Sequence, residues 1–200
     1  SATLAQAFPD LPVIPVEGDF NRPLTLPDAI EAMPRLGFFP GSTIGNMEPD
    51  AAVDLLRAMR RLLGDEAMLL IGMDRIKDRD RLIAAYDDAA GVTAAFNLNL
   101  LTRINRELEG DLPIDGFAHR AIWNDDKARV EMHLEAIRPL HFHVAGESFR
   151  MAQGETIHTE SSHKYGVRDG RLLLRSGGWE PVRAWTDADG LFSLMLARAG

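Results

Sequence analysis

Residues 38–50, FFPGSTIGNMEPD, run from two aromatics into a series of small residues and then a helix start. Gly41 and Gly45 bracket Ser42-Thr43-Ile44, and Asn46 follows. Glycine permits a left-handed backbone and close approach of a neighbour, so the segment is read as one that lets a ligand come near. Free N–H groups ahead of a helix favour an anion such as a carboxylate, and the Asn46 amide adds a donor. The same residues also suit a plain strand-to-helix turn with a capping Ser or Asn. A second group lies far along the chain: Glu160 and Ser162 in HTESSHKY place a carboxylate and a hydroxyl two residues apart. Together they offer an acceptor and a group that can either donate or accept. Equally, Thr159, Glu160 and Ser161 suit a helix N-terminal cap.

Tyr86 sits at helical spacing from Leu82 and Ile83, which fits a core tyrosine with its hydroxyl at the edge. Asp87-Asp88 reads as a solvated or capping pair, because neighbours on a helix point in different directions. His141-x-His143 places two rings on one face of a strand, with His133 near in sequence, but no third ligand has fixed geometry, and no metal is expected. His158 and His163 in HTESSH do not make H-E-x-x-H. Ser42 or Ser162 could serve as a nucleophile beside a histidine, yet G-x-S-x-G is absent. There is no cysteine, which removes disulfides, thiolate nucleophiles and zinc–thiolate sites.

The elements that must position these groups follow from apolar spacing. Leu11–Val16 reads as a short strand despite its prolines, and Arg35–Pro40 and Ala67–Met73 as two more. Pro49–Leu63 repeats apolar residues at helical spacing, with Pro49 at the first position and Gly64 at the end. Continuous apolar strands separated by helices point to a parallel α/β sheet. Residues 80–108 are mostly helical with a break at Gly91. Arg129–Ala136 alternates Val130, Met132, Leu134 and Ala136 against Glu131, His133 and Glu135, the pattern of a half-buried antiparallel strand. Leu140–Val144 and Phe149–Ala152 read as its neighbours, Ser162–Arg175 as a helix ended by Gly177-Gly178, and Leu191–Ala197 as a closing strand. The 200 residues suit one domain or a domain with an appendage.

The formal charge of −8 argues against nucleic acid and against an anionic membrane surface, though not against a small zwitterion. No apolar run nears 18 residues and no signal-peptide pattern appears, so a soluble cytoplasmic protein is expected. Neither G-x-G-x-x-G nor G-x-x-x-x-G-K-[ST] occurs, so the glycine-rich loop of a doubly wound sheet has no counterpart here.

GSTIGNMEP, LIAAYDDAAGVTAAFN, RVEMHLEA, GETIHTESSHKY and WTDADGLFSLML occur in that order. Together they resemble the S-adenosylmethionine-dependent histidine Nα-methyltransferases of ergothioneine biosynthesis, from about Val13 to Leu196. The resemblance implies a partial Rossmann-like methyltransferase sheet over residues 11–76, a substrate-binding region of helices and antiparallel strands over 77–176, and closing strands over 177–200. It implies L-histidine and its N-methylated forms as substrates and hercynine as product. Asn46 and Tyr86 would contact the α-carboxylate, and Glu160 and Ser162 the imidazole. Gly41, Thr43, Ser161 and Met132 would lie close to the substrate. Asp19 and Phe20 in VEGDF would lie against the adenine of S-adenosylmethionine. Ser161 stands where the family often has Asn. The family's N-terminal methyl-donor motif has no match, so a shortened chain with an incomplete donor site and weak or no turnover alone is expected. The alternative is an amino-acid-binding module that has lost methyl-donor binding.

Overall fold

The computed structural model describes residues 2–18, 24–27, 30 and 33–200. After helix α1 (Ala2–Ala7), Leu11–Val16 forms no strand, contrary to the expectation from its apolar character. Pro12 and Pro15 lack the donors a ladder needs, and Leu11, Ile14 and Val16 are exposed. The first sheet is entered at β1 (Leu36–Phe39), followed by α2 (Pro49–Leu63) and β2 (Met68–Asp74). Pro49 opens α2 and Gly64, at φ 92°, closes it by donating to the Arg60 carbonyl. There follow α3 (Arg79–Tyr86), α4 (Val92–Glu107), β3 (Phe117–Asn124) and β4 (Arg129–Ala136). The chain continues through β5 (Leu140–Val144), β6 (Glu147–Met151), β7 (Thr156–His163), α5 (Val167–Ser176), β8 (Trp179–Thr186) and β9 (Phe192–Ala199).

The first sheet has the order β1-β2-β9-β8. Only β1 and β2 run parallel, and β9 lies antiparallel to both β2 and β8, so the sheet is mixed α/β rather than wholly parallel. Its core joins Leu55 and Leu56 of α2 to Leu69 and Ile71 of β2, Leu173 and Leu174 of α5, Trp179 and Met195. The buried Trp179 indole N–H donates to the Leu56 carbonyl at 2.9 Å, which satisfies the one polar atom that side chain brings into the core. By packing, α5 belongs to this layer, although the sequence division at 176 set it with the middle region.

The second sheet, β3-β4-β7, is antiparallel and is covered by α3 and α4. Leu101 of α4 packs with Phe117, Leu134 and Ala136. β5 and β6 pair with each other as a separate hairpin and not with β4, whose neighbours are β3 and β7. β4 is also not half-buried: Arg129 and Glu131 on its polar face are 4% and 7% exposed. These two buried charges offset each other at 2.8 Å, and the Arg129 guanidinium also meets Glu48 at 2.5 Å.

The helix expected from Ser162 starts only at Val167, and HTESSH is the strand β7. A bulge sets its phase: Met132 faces Glu160 across the ladder while the next residue, His133, faces His158, leaving Thr159 as the extra residue. Glu160 and Ser162 thereby share the face of Met132 and Val130, and His158 and Ser161 the opposite face. The two sheets join where Tyr165 donates its N–H to the Asp74 carbonyl at 2.9 Å and pairs with Arg75 in a short parallel bridge. Among the described residues no helix is long and apolar enough to cross a membrane.

Candidate active site

At that junction a cavity of about 430 Å³ opens between the two sheets. Gly41, Ser42 and Asn46 line it from the loop after β1, and Asp74 from the end of β2. Tyr86 enters from the end of α3, Glu160, Ser162 and Lys164 from β7 and its exit, and Phe192 from the start of β9. The carboxyl ends of parallel strands are where open α/β sheets place ligands.

Gly41 (φ 75°) and Ser42 (φ 58°) are both left-handed, which turns the chain sharply off β1 into a 3-10 turn, Thr43–Asn46. The Ser42 hydroxyl accepts the Asp74 N–H at 2.8 Å and pins the turn to β2. Gly45 is small for a different reason from the one expected. A Cβ there would lie 2.7 Å from the His163 carbonyl oxygen, so the close neighbour is the β7 backbone and not a ligand. This contact brings the Asn46 loop up against the strand that carries Glu160.

Across the cavity, Lys164 is the hub. Its side chain is 1% exposed, and its ammonium donates to Asp74 at 2.9 Å, to the Tyr86 hydroxyl at 2.7 Å and to Ser162 Oγ at 2.8 Å. Tyr86 in turn donates to Ser162 Oγ at 2.8 Å, and its ring lies under the ammonium at 4.7 Å. Burial pushes the Asp74 carboxyl up, but hydrogen bonds from Lys77 and Lys164 outweigh this and hold it below its ordinary value. Asp74, Lys164 and Phe192 were not singled out from sequence. Period two was the available signal: on a strand Glu160, Ser162 and Lys164 share a face, and it was hidden by reading Ser162 as a helix start.

Five of the residues named from the resemblance thus line one cavity: Gly41, Asn46, Tyr86, Glu160 and Ser162. Three do not. Thr43 is exposed and its hydroxyl donates to the Pro40 carbonyl. Ser161 points to the far face and meets His158 Nε2 at 3.0 Å. Met132 is buried beside Glu160, its ladder partner, without reaching the cavity lining. Asp19 and Phe20 lie outside the described residues. Asp88 caps α4, accepting from the Val92 and Thr93 N–H groups at 3.0 and 2.8 Å. No histidine hydrogen-bonds Ser42 or Ser162 among the described residues, which leaves a serine nucleophile without a base.

Two other features lie outside this cavity. Glu131, His133 and His158 bring ligand-type atoms within 4.8 Å of one another. His133 Nε2 already meets Glu131 at 3.2 Å and its buried Nδ1 has no partner. A metal on Nε2 would force an unpaired N–H at Nδ1, the reverse of what metal-bound histidines do. A cavity of about 560 Å³ between α4 and the β5–β6 hairpin is walled mainly by Ile104, Leu108, Phe142, Phe149 and Ile157, with Arg150, Glu155 and Thr156 also on its lining.

A polar cavity at the carboxyl edge of a mixed sheet, with amide, carboxylate and hydroxyl groups on facing walls, is the feature that distinguishes this α/β fold. The chain belongs to the family described as histidine-specific, SAM-dependent methyltransferases, whose model matches residues 1–199. The histidine N-alpha-methyltransferase of Mycolicibacterium smegmatis is 40% identical over 198 residues, covering 98% of this chain and 61% of that protein. That of Mycobacterium tuberculosis is 40% identical over 182 residues, covering 90% and 56%. Ergothioneine biosynthesis protein 1 of Neurospora crassa is 30% identical over 152 residues, covering 73% and 17%. This chain therefore spans 56–61% of the length of the bacterial relatives.

Proposed function

We propose that this chain carries the histidine-binding site of an L-histidine Nα-methyltransferase, which trimethylates the α-amine with S-adenosylmethionine to give hercynine. The observation that carries the reading is the convergence of Asn46 and Tyr86 with Glu160 and Ser162 in one cavity. The zwitterionic end of the ligand lies toward the Asn46 amide, which donates to the carboxylate, and toward the Tyr86 oxygen, which accepts from the amine while its own hydrogen goes to Ser162. The imidazole lies toward β7, with Glu160 accepting a ring N–H and Ser162 serving the other nitrogen. A site built of such groups rejects amino acids that leave them unpaired, by factors up to ~10⁴–10⁵.

S-Adenosylmethionine supplies the methyl group on a sulfonium. The described residues fit that donor in position, since the cavity opens at the carboxyl ends of β1 and β2, where nucleotide-like ligands bind. The adenine contacts named from the resemblance, Asp19 and Phe20, fall outside the described residues. The attacking amine must be neutral, and an α-amino group has a pKa near ~8. Partial burial of the ligand favours the free base. The chain's own contribution is to hold both ends of histidine, aim the nitrogen and exclude water.

Titration calorimetry with L-histidine and Nα,Nα-dimethylhistidine tests the assignment. Binding that falls roughly 10- to 100-fold in Glu160→Ala and Asn46→Ala supports it. Binding equal to that of the unaltered chain in both variants overturns it.

A further inference from the structure

We propose that Lys164 fixes the direction of the hydroxyl hydrogens in this cavity, so that Ser162 can only donate and the Glu160–Ser162 pair selects a neutral imidazole over an imidazolium. The inference rests on the histidine-binding reading above and assigns Lys164 as a positioning residue, one that acts through Ser162.

The argument is a count of donors and acceptors. An ammonium has three donors and no acceptor. All three of Lys164 are used, on Asp74, the Tyr86 hydroxyl and Ser162 Oγ. The Tyr86 hydroxyl donates its one hydrogen to Ser162 Oγ at 2.8 Å. That direction is also the chemically preferred one, because a phenol is a better donor than an aliphatic alcohol. Ser162 Oγ therefore receives two hydrogen bonds, one from Lys164 and one from Tyr86, and both its lone pairs are taken. What remains is its own hydrogen, which must find an acceptor.

The ligand's second imidazole nitrogen offers that acceptor only when it is unprotonated. Glu160, ionised, is acceptor-only and takes the other nitrogen's N–H. One donor-only and one acceptor-only group two residues apart on the same strand face match the neutral ring, which has one lone pair and one N–H. An imidazolium has two N–H groups, and one of them would meet the Ser162 hydrogen head-on. The charged groups facing this arrangement are Asp74 from β2, Lys77 beside it, Glu160 from β7 and Lys164 just after it, with Tyr86 from α3. Lys77 is occupied by Asp74 at 2.5 Å and leaves the donor count unchanged.

Calorimetric titration of L-histidine in buffers of different ionisation heat counts the protons released on binding. The informative quantity is the extra release at about pH 5.5 over about pH 7.5, of which the ring, with an ordinary pKa of ~6.5, accounts for roughly 0.8 proton and the amine, with a pKa of ~8, for only about 0.2. For the unaltered chain it should approach one proton, with affinity falling toward tenfold per pH unit on the acid side. In Lys164→Met a Ser162 lone pair is freed to accept from an imidazolium. The extra release should fall by half or more and the acid slope should flatten. Because Lys164 also neutralises Asp74, the double variant Asp74→Asn/Lys164→Met, which removes the ion pair as a unit, is measured alongside and should behave the same way. A merely structural lysine would instead lower affinity equally at all pH values with the proton count unchanged, and that result overturns the proposal. So does the absence of extra release from the unaltered chain, which needs no variant. Failure of the unaltered chain to bind histidine at any pH defeats the substrate reading, and this inference with it.

Discussion

The Lys164 ammonium stands 2.9 Å from the Asp74 carboxylate, and this pair ties the chain leaving β7 to the end of β2. The tie crosses between sheets, since β2 belongs to the four-stranded sheet and β7 to the three-stranded one. The same ammonium organises Tyr86 and Ser162, so one of the contacts between the two layers also shapes the cavity between them.

Breaking this pair from one side is expected to be expensive. Asp74→Asn leaves a buried ammonium without its carboxylate, and loss of one partner of a buried pair costs roughly 3 kcal/mol or more. The double variant Asp74→Asn/Lys164→Met should recover a substantial part of that loss. Urea unfolding of the three proteins checks the order, and a double variant less stable than Asp74→Asn would contradict it.

Gly45→Ala tests the close approach of the Asn46 loop to β7. The added methyl would lie 2.7 Å from the His163 carbonyl oxygen, which is backbone and cannot swing away. A cost of about 2 kcal/mol is expected, seen as a fall of roughly 4–8 °C in Tm. Because Asn46 is the next residue, histidine affinity should fall with it. An unchanged Tm would show that the loop has more room than the distance implies.

The neighbours Ser161 and Ser162 are expected to behave oppositely. Ser161 faces His158 on the far side of the sheet, whereas Ser162 faces the cavity. Ser161→Ala should leave histidine affinity within about twofold, and Ser162→Ala should weaken it about tenfold or more. Calorimetry on the pair decides, and equal effects would mean that the bulge does not set the strand's phase as described.

Asp88 gives a pH signature at the start of α4. Hydrogen bonds from the Thr93 side chain, then from the Thr93 and Val92 backbone N–H groups, hold its carboxyl down at about 2, against an ordinary 3.8. A depressed folded pKa stabilises the fold above the unfolded value, and that contribution disappears as pH falls through the folded one. Asp88→Asn should therefore show a constant deficit in urea midpoint above about pH 5. The deficit should shrink below about pH 4 and close near pH 2. A deficit that does not change with pH would mean that Asp88 acts by shape and not by charge.

Much of the local structure was legible in the residues. Pro49 and Gly64 bound α2 as read, because proline at a first turn and glycine at an end act through backbone chemistry alone. The alternation in Arg129–Ala136 gave β4 its limits, and the break before Gly91 separated α3 from α4. The errors fall where a distant partner decides. Leu11–Val16 had the apolar character of a strand but no partner for a backbone carrying two prolines. HTESSH looked like a helix cap because Thr, Glu and Ser suit one, and became a strand because β4 offers it a ladder.

The sequence by itself determined the short-range facts: where α2 starts and stops, that no thiol chemistry is available, and that Asn46, Tyr86, Glu160 and Ser162 belong to blocks with a family resemblance. Only the tertiary structure decided that these four share one cavity, that Ser161, Thr43 and Met132 stay outside it, and that Lys164 sits at its hub. Local signals act over a few residues of backbone. The meeting of position 46 with position 160 depends on how two sheets pack, and the direction a strand residue faces depends on a single bulge in its pairing.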